Sequence, residues 1–193
     1  MAKEKKRGEI LKAAEDLFLS HRFDQVTMDQ VRQKAGVGKG TLYRYFRSKD
    51  DLFGQVILSG LDDLHALMKQ EVHGADSPTT QLLAAARTMQ DFHRQRRSMF
   101  RTLHAEWIRG ILGNGQLRDE LRTRRRRTGK LLASIFRSGM EQSEFREDLP
   151  PAVAARLFMA AIRSAVSEGL DGDRQRIPLE RAIAVVMEGL RSQ

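Results

Sequence analysis

Apolar residues along the chain recur at intervals of three and four, and no segment alternates with the period of two that a half-buried strand requires. The expected fold is all-α. The first helix runs from about Glu9 to His21, with Ile10, Ala14, Leu17, Phe18 and His21 forming one stripe. RFDQV is a short connector. Thr27 then stands where an N-cap belongs, with Gln30 three residues later to complete a capping box and Met28, Val31 and Ala35 supplying the inner face. Gly36 follows in the place of a left-handed terminator.

Val37 and Gly38 lead straight into KGTLYRYF, so helix, tight turn and helix follow within a few residues. Leu42 and Phe46, four apart, face inward, which leaves Lys39, Gly40, Thr41, Tyr43 and Arg44 outside. Ser48 caps the next helix, with Asp51 as its box partner, and Leu52, Val56, Leu61, Leu64 and Met68 run down it to about His73. After the loop GADSP, Ser77 as cap and Pro78 at the first helical position open a helix through Leu82, Ala86, Met89, Phe92 and His93. Helices over about 98–112 and 116–142 are divided by the turn GNG. Pro150 and Pro151 open a segment apolar over a broad arc (Val153, Ala154, Leu157, Phe158, Ala161, Ile162, Ala165, Val166), and Pro178 opens the last, with Leu179, Ile183, Val186, Met187 and Leu190.

Charge changes the picture by its placement. The chain of 193 residues carries a formal +9, and residues 1–53 (12 basic, 8 acidic) with residues 118–130 (7 basic, 2 acidic) hold all of it. Two local basic features suit a polyanion, although a membrane surface or RNA would answer to charge alone equally well. No cysteine is present, so disulfides and thiolate metal sites are excluded. No stretch approaches the roughly eighteen apolar residues of a membrane span, and MAKEKKRGEI lacks the apolar core of a secretory signal. A cytoplasmic protein with no membrane partner is the expectation. No nucleophile and base at recognisable spacing, no paired carboxylates in an apolar setting and no metal-ligand spacing stand out, so neither catalysis nor a cofactor is expected.

The segment TMDQVRQKAGVGKGTLYRYFRSKDDLF, Thr27 to Phe53, resembles the DNA-binding segment of the TetR family of transcriptional regulators. Thr27, Ala35, Gly36, Val37, Gly38, Gly40, Thr41, Leu42, Tyr43, Tyr45, Phe46, Lys49 and Asp50 carry the likeness. Two positions depart from it: Arg22 stands where many members have glycine, and Arg32 where alanine is frequent, its cation free to reach a phosphate or lie on solvent. The resemblance implies a three-helix helix-turn-helix domain over residues 1–53 and a helical effector-binding and dimerisation domain over 54–193. It assigns Thr27, Tyr43, Tyr45 and Lys49, with the backbone at Gly38, to the phosphates of double-stranded DNA. Lys39, Thr41 and Arg44 remain as base readers, since cations suit guanine O6 and N7, a threonine methyl suits the thymine methyl, and Gly40 admits close approach. Tyr45 reads equally as a core aromatic, Phe46 reads as core, and Thr27 is a cap in either case.

The resemblance also implies a homodimer built on the last two helices. Their wide apolar faces favour this independently, with Leu157, Phe158, Ala161, Ala165, Ile183, Val186 and Met187 as candidates; the competing reading makes the first of them a central core helix. A small hydrophobic or amphipathic effector would lodge among Met68, Phe92, Met99, Leu103, Trp107 and Phe136, most of which read equally as core, and His93 or His104 could orient it. Arg124 to Arg127 sweep most of a helix circumference, either as a solvated segment with snorkelling stems or as a contact for an acidic head group. Repression relieved by the effector is the implied output. A DNA-bound architectural protein that recruits a protein partner and senses nothing small would share the same reader.

Overall fold

The computed structural model describes residues 2–100, 102, 115–166 and 178–191. Its elements are α1 (Ala2–Ser20), a 3-10 turn (Phe23–Gln25), α2 (Met28–Lys34), α3 (Lys39–Tyr45), α4 (Lys49–His73), α5 (Pro78–Gln95), α6 (Gly115–Glu141), α7 (Pro151–Val166) and α8 (Leu179–Leu190). Residues 97–100 are also helical, while Leu103, His104, Trp107, Ile108, the GNG turn and the Val166 side chain lie outside the described residues. No strand forms among those described, only an isolated bridge between Phe145 and Arg191.

The helix starts and stops follow local chemistry. Thr27 is extended, its Oγ1 accepts from Gln30 N (3.2 Å), and the Gln30 side chain accepts from Thr27 N (2.8 Å). This closes the capping box that satisfies two donors at the start of α2. Gly36, at φ +61°, ends the helix in the left-handed region, where a Cβ costs about 1 kcal/mol or more. At α4, Asp51 N donates to Ser48 Oγ (3.1 Å), while the Asp51 carboxylate accepts from Arg47 N (2.9 Å). The reciprocal bond thus closes one residue earlier than a box partner of Ser48 would. Arg22 is extended at φ −68°, ψ 149°, so its connector makes no demand that glycine alone could meet.

The chain forms two compact units, residues 1–62 with 96–122 and residues 63–95 with 123–193, and both α4 and α6 supply residues to each. In the first, α1 to α3 and the start of α4 close on Ile10, Phe18, Val31, Leu42, Phe46 and Phe53. Phe18, Phe23 and Phe53 meet with ring centroids 5.0–5.8 Å apart. Helix α1 begins seven residues before the expected Glu9, because Arg7 continues the inward stripe: its guanidinium donates to Gln55 and lies 5.7 Å from the Phe46 ring centroid. The half-buried pair Arg96 and Glu15 (2.8 Å) ties residue 96 to α1.

In the second unit α5, α7 and α8 pack on one another around Phe136, whose ring lies 5.3 Å from Phe145 and 5.8 Å from Phe158. A Cβ at Gly139 would overlap the Phe145 ring and touch Pro78, so that glycine is a packing requirement. Glu144 accepts from both the amide (3.2 Å) and hydroxyl (2.7 Å) of Thr79, satisfying a donor in the first turn of α5.

Candidate nucleic-acid interface

Helix α3 separates its residues by what the fold asks of them. Leu42 and Phe46 are 1% exposed and hold the helix to the core. Lys39, Gly40, Tyr43 and Arg44 are exposed, Tyr43 by 46%, and Thr41 and Tyr45 are half-buried. Among the described residues an added Cβ at Gly38 or Gly40 would meet nothing within 4 Å, and neither has a positive φ. Nothing among the described residues requires glycine there; what the missing side chains leave is room for something outside to come near.

The remaining candidates are partly engaged. Arg44 Cζ stands 5.4 Å from the Tyr45 ring centroid, a cation on a π face. Tyr45 Oη donates to the carbonyl of Lys3 (3.2 Å), so this phenol bridges α3 to the first turn of α1. Lys49 Nζ donates to the Phe23 carbonyl (2.9 Å) and lies 4.5 Å from the Phe23 ring centroid, holding the start of α4 to the 3-10 turn. Thr27 caps α2 and is exposed. Arg32 Nε donates to Asp29 (2.7 Å), and that bond holds the Asp29 carboxyl below its ordinary pKa, with the charges of Arg32 and Lys39 adding to it. Arg32 is therefore bound along α2 in the free protein.

The body candidates divide. Met99 belongs to the core of the first unit, with Leu121 and Phe100. Met68, Phe92 and Phe136 are 0%, 4% and 0% exposed in the second. Leu103 and Trp107 fall outside the described residues. On α7 and α8, Phe158, Ile183 and Met187 are buried within the chain and serve its own core rather than an outer face. The outward face holds Leu157 (48% exposed) and Val185 (64%), with Ala161, Ala165 and Val186 half-buried. An open groove of about 480 Å³ runs along it, lined by Leu157, Ala160, Ala161, Val185, Val186 and Leu190 among others. Val185 and Ala160 were hidden in the sequence because apolar residues occur on both sides of these helices.

Burial, and after it the charge of Arg125, pushes His93 down to about 4, so this half-buried imidazole is neutral at neutral pH. Partial desolvation of its guanidinium, and after it the charge of Arg163, lower Arg125 in turn, although the residue as a whole stays exposed. In the arginine run, Arg124 is half-buried and Arg125, Arg126 and Arg127 are exposed. Among the described residues no cluster of His, Asp or Glu could hold a metal, and no helix is long and apolar enough to cross a membrane.

A capped helix, a left-handed glycine and a short second helix with a polar outer edge define a helix-turn-helix protein with a helical body. Residues 10–56 match the profile of bacterial regulatory proteins of the tetR family, and residues 75–167 match that of the tetracyclin repressor-like C-terminal domain. The chain belongs to the TetR family of transcriptional regulators. It is 26% identical over 180 residues to the HTH-type transcriptional regulator YfiR of Bacillus subtilis, covering 90% of this chain and 84% of that one. To the HTH-type transcriptional repressor DhaR of Mycobacterium sp. it is 25% identical over 199 residues, 98% of this chain and 94% of that one. Among solved structures, the regulator FadR from Bacillus subtilis in complex with stearoyl-CoA superposes with a TM-score of 0.72 at 19% identity, over 96% of this chain and 98% of that one.

Proposed function

We propose that this protein is a homodimeric, sequence-specific repressor that acts in the cytoplasm and leaves a palindromic operator when a small hydrophobic or amphipathic effector binds its body. The observation that carries the DNA reading is the outer edge of α3: Lys39, Thr41 and Arg44 lie on a helix that Leu42 and Phe46 hold to the core, with Lys39 and Arg44 exposed and Thr41 half-buried. These three read base edges in the major groove, while Thr27, Tyr43, Lys49 and the Gly38 backbone meet phosphates, Gly40 permits close contact, and Tyr45, whose hydroxyl is engaged by the Lys3 carbonyl, supports the reader from within. Lys49 reaches a phosphate from its seat on Phe23, so it both contacts DNA and fixes the α4 start.

Two subunits meet through the outward face of α7 and α8, where Leu157, Ala161, Ala165 and Val186 line exposed apolar surface that a second copy would cover. Support for repression comes from DhaR, named a repressor. Support for an amphipathic effector comes from FadR, bound to stearoyl-CoA. The effector shifts the population toward a state with lower operator affinity, and the protein acts by binding rather than catalysis. Selection of bound duplexes from a random pool, followed by footprinting, tests the reading: a two-fold symmetric sequence is expected, and a pool that stays random refutes it. Sedimentation that finds a monomer at micromolar protein removes the dimer.

A further inference from the structure

Helix α1 does not end where its apolar stripe ends. Its first two turns carry Lys3, Lys5, Lys6 and Arg7, with Glu4 as the acidic residue among them. Helical stepping of about 100° per residue places Lys3, Lys6, Arg7 and Ile10 on one side and Lys5 on the other. Ile10 is fully buried and Arg7 is held by Gln55 and the Phe46 ring, so this side faces the reading domain. Lys3 lies four residues before Arg7 on the same line, and its carbonyl receives the Tyr45 hydroxyl at 3.2 Å. The Tyr45 ring carries the Arg44 guanidinium at 5.4 Å. One tyrosine thus joins the first turn of α1 to a base-reading candidate. Lys6 is occupied by Glu9 (2.8 Å) in a solvent-exposed pair, whereas Lys3 is exposed and, among the described residues, ion-paired to nothing.

We propose that the first turn of α1 is a second DNA contact, in which Lys3, positioned by the Tyr45 hydroxyl, binds a backbone phosphate of the same duplex beside the bases that α3 reads. The contact adds affinity and register but no base preference, because an ammonium on a phosphate carries no sequence information. In this arrangement Tyr45 serves DNA binding through Lys3, as a positioning residue. The inference rests on the DNA-reader function proposed above.

The test compares the full-length protein with Lys3→Ala, Lys5→Ala, Tyr45→Phe and the double variant Lys3→Ala/Tyr45→Phe on the selected duplex across a salt series. Removing one phosphate contact should lower the slope of log affinity against log salt by about 0.9 per chain, so that the loss between about 50 and about 200 mM salt shrinks by about threefold per chain. Lys3→Ala should do this; Lys5→Ala, which removes the same charge from the far side of the helix, should leave the slope near that of the parent. Tyr45→Phe should weaken binding in the parent and add nothing once Lys3 is gone, with the order of preferred duplexes unchanged throughout. Equal slopes for Lys3→Ala and Lys5→Ala, or additive losses for Tyr45→Phe and Lys3→Ala, would overturn the proposal while leaving the α3 reader intact. A parent protein with no preferred duplex would sink the reader itself, and this contact with it.

Discussion

The glycines of the two units contrast. In the reading unit, Gly38 and Gly40 stand at the start of α3 with no described residue within 4 Å of where a Cβ would be, whereas in the body Gly139 lies against the Phe145 ring. The side chains follow the same division. On α3 the polar outer residues could be exchanged without disturbing the core, while in the body Phe136, Phe145 and Phe158 are consumed by contact with one another. Residues that a fold does not need, concentrated on one edge of one short helix, mark where a partner acts. Residues that a fold needs say nothing of a partner.

The widest separation should appear within α3. Phe46→Ala removes a ring 1% exposed and should cost about 3–5 kcal/mol in urea unfolding, whereas Tyr43→Ala, 46% exposed, should change stability by less than about 0.5 kcal/mol and still weaken DNA binding. Similar stability losses for the two would erase the division.

Next is a pH effect confined to the body. His93 is held at about 4, below its ordinary value of 6.5, so between those values the unfolded chain binds a proton that the folded chain refuses. The stability is present above about pH 6.5, falls as the pH drops toward 4, and reaches a total loss of about 3 kcal/mol. Unfolding midpoints measured at several pH values should show this decline, and His93→Leu should flatten it.

The glycines provide the smallest effects and the sharpest contrast of sign. Gly139→Ala forces Phe145 aside and should destabilise the body by about 1–3 kcal/mol. Gly40→Ala, in a helix with open space around it, should stabilise by up to about 1 kcal/mol in thermal unfolding and nevertheless reduce affinity for the operator. A Gly40→Ala protein that binds its duplex as before would mean that the vacant space is not used.

The reader was legible because its signals are local. Thr27 with Gln30 and Gly36 each act within a few residues, so spacing alone placed α2 and the turn. The start of α1 was not legible, because Lys3 and Arg7 occupy the inward stripe with charged ends, and a pattern of apolar residues stops at Ile10. Neither was the engagement of Tyr45 and Lys49, whose partners Lys3 and Phe23 are distant in sequence. In the body, α7 and α8 are apolar on both sides, so periodicity could not separate Phe158, Ile183 and Met187, which turn inward, from Leu157 and Val186 outside. The division of Met99 from Met68, Phe92 and Phe136 between two units likewise depends on how distant segments pack.

The role proposed for the exposed edge of α3 is to discriminate bases. Its most direct test is the affinity of the parent and of Arg44→Ala for the selected duplex and for single-base-pair variants of it, at one fixed salt concentration, with thermal unfolding measured alongside. Unchanged stability is expected, with a loss of about 1–3 kcal/mol of discrimination at one or two base pairs and the remaining positions read as before. Discrimination retained at every position by a folded Arg44→Ala protein would contradict it.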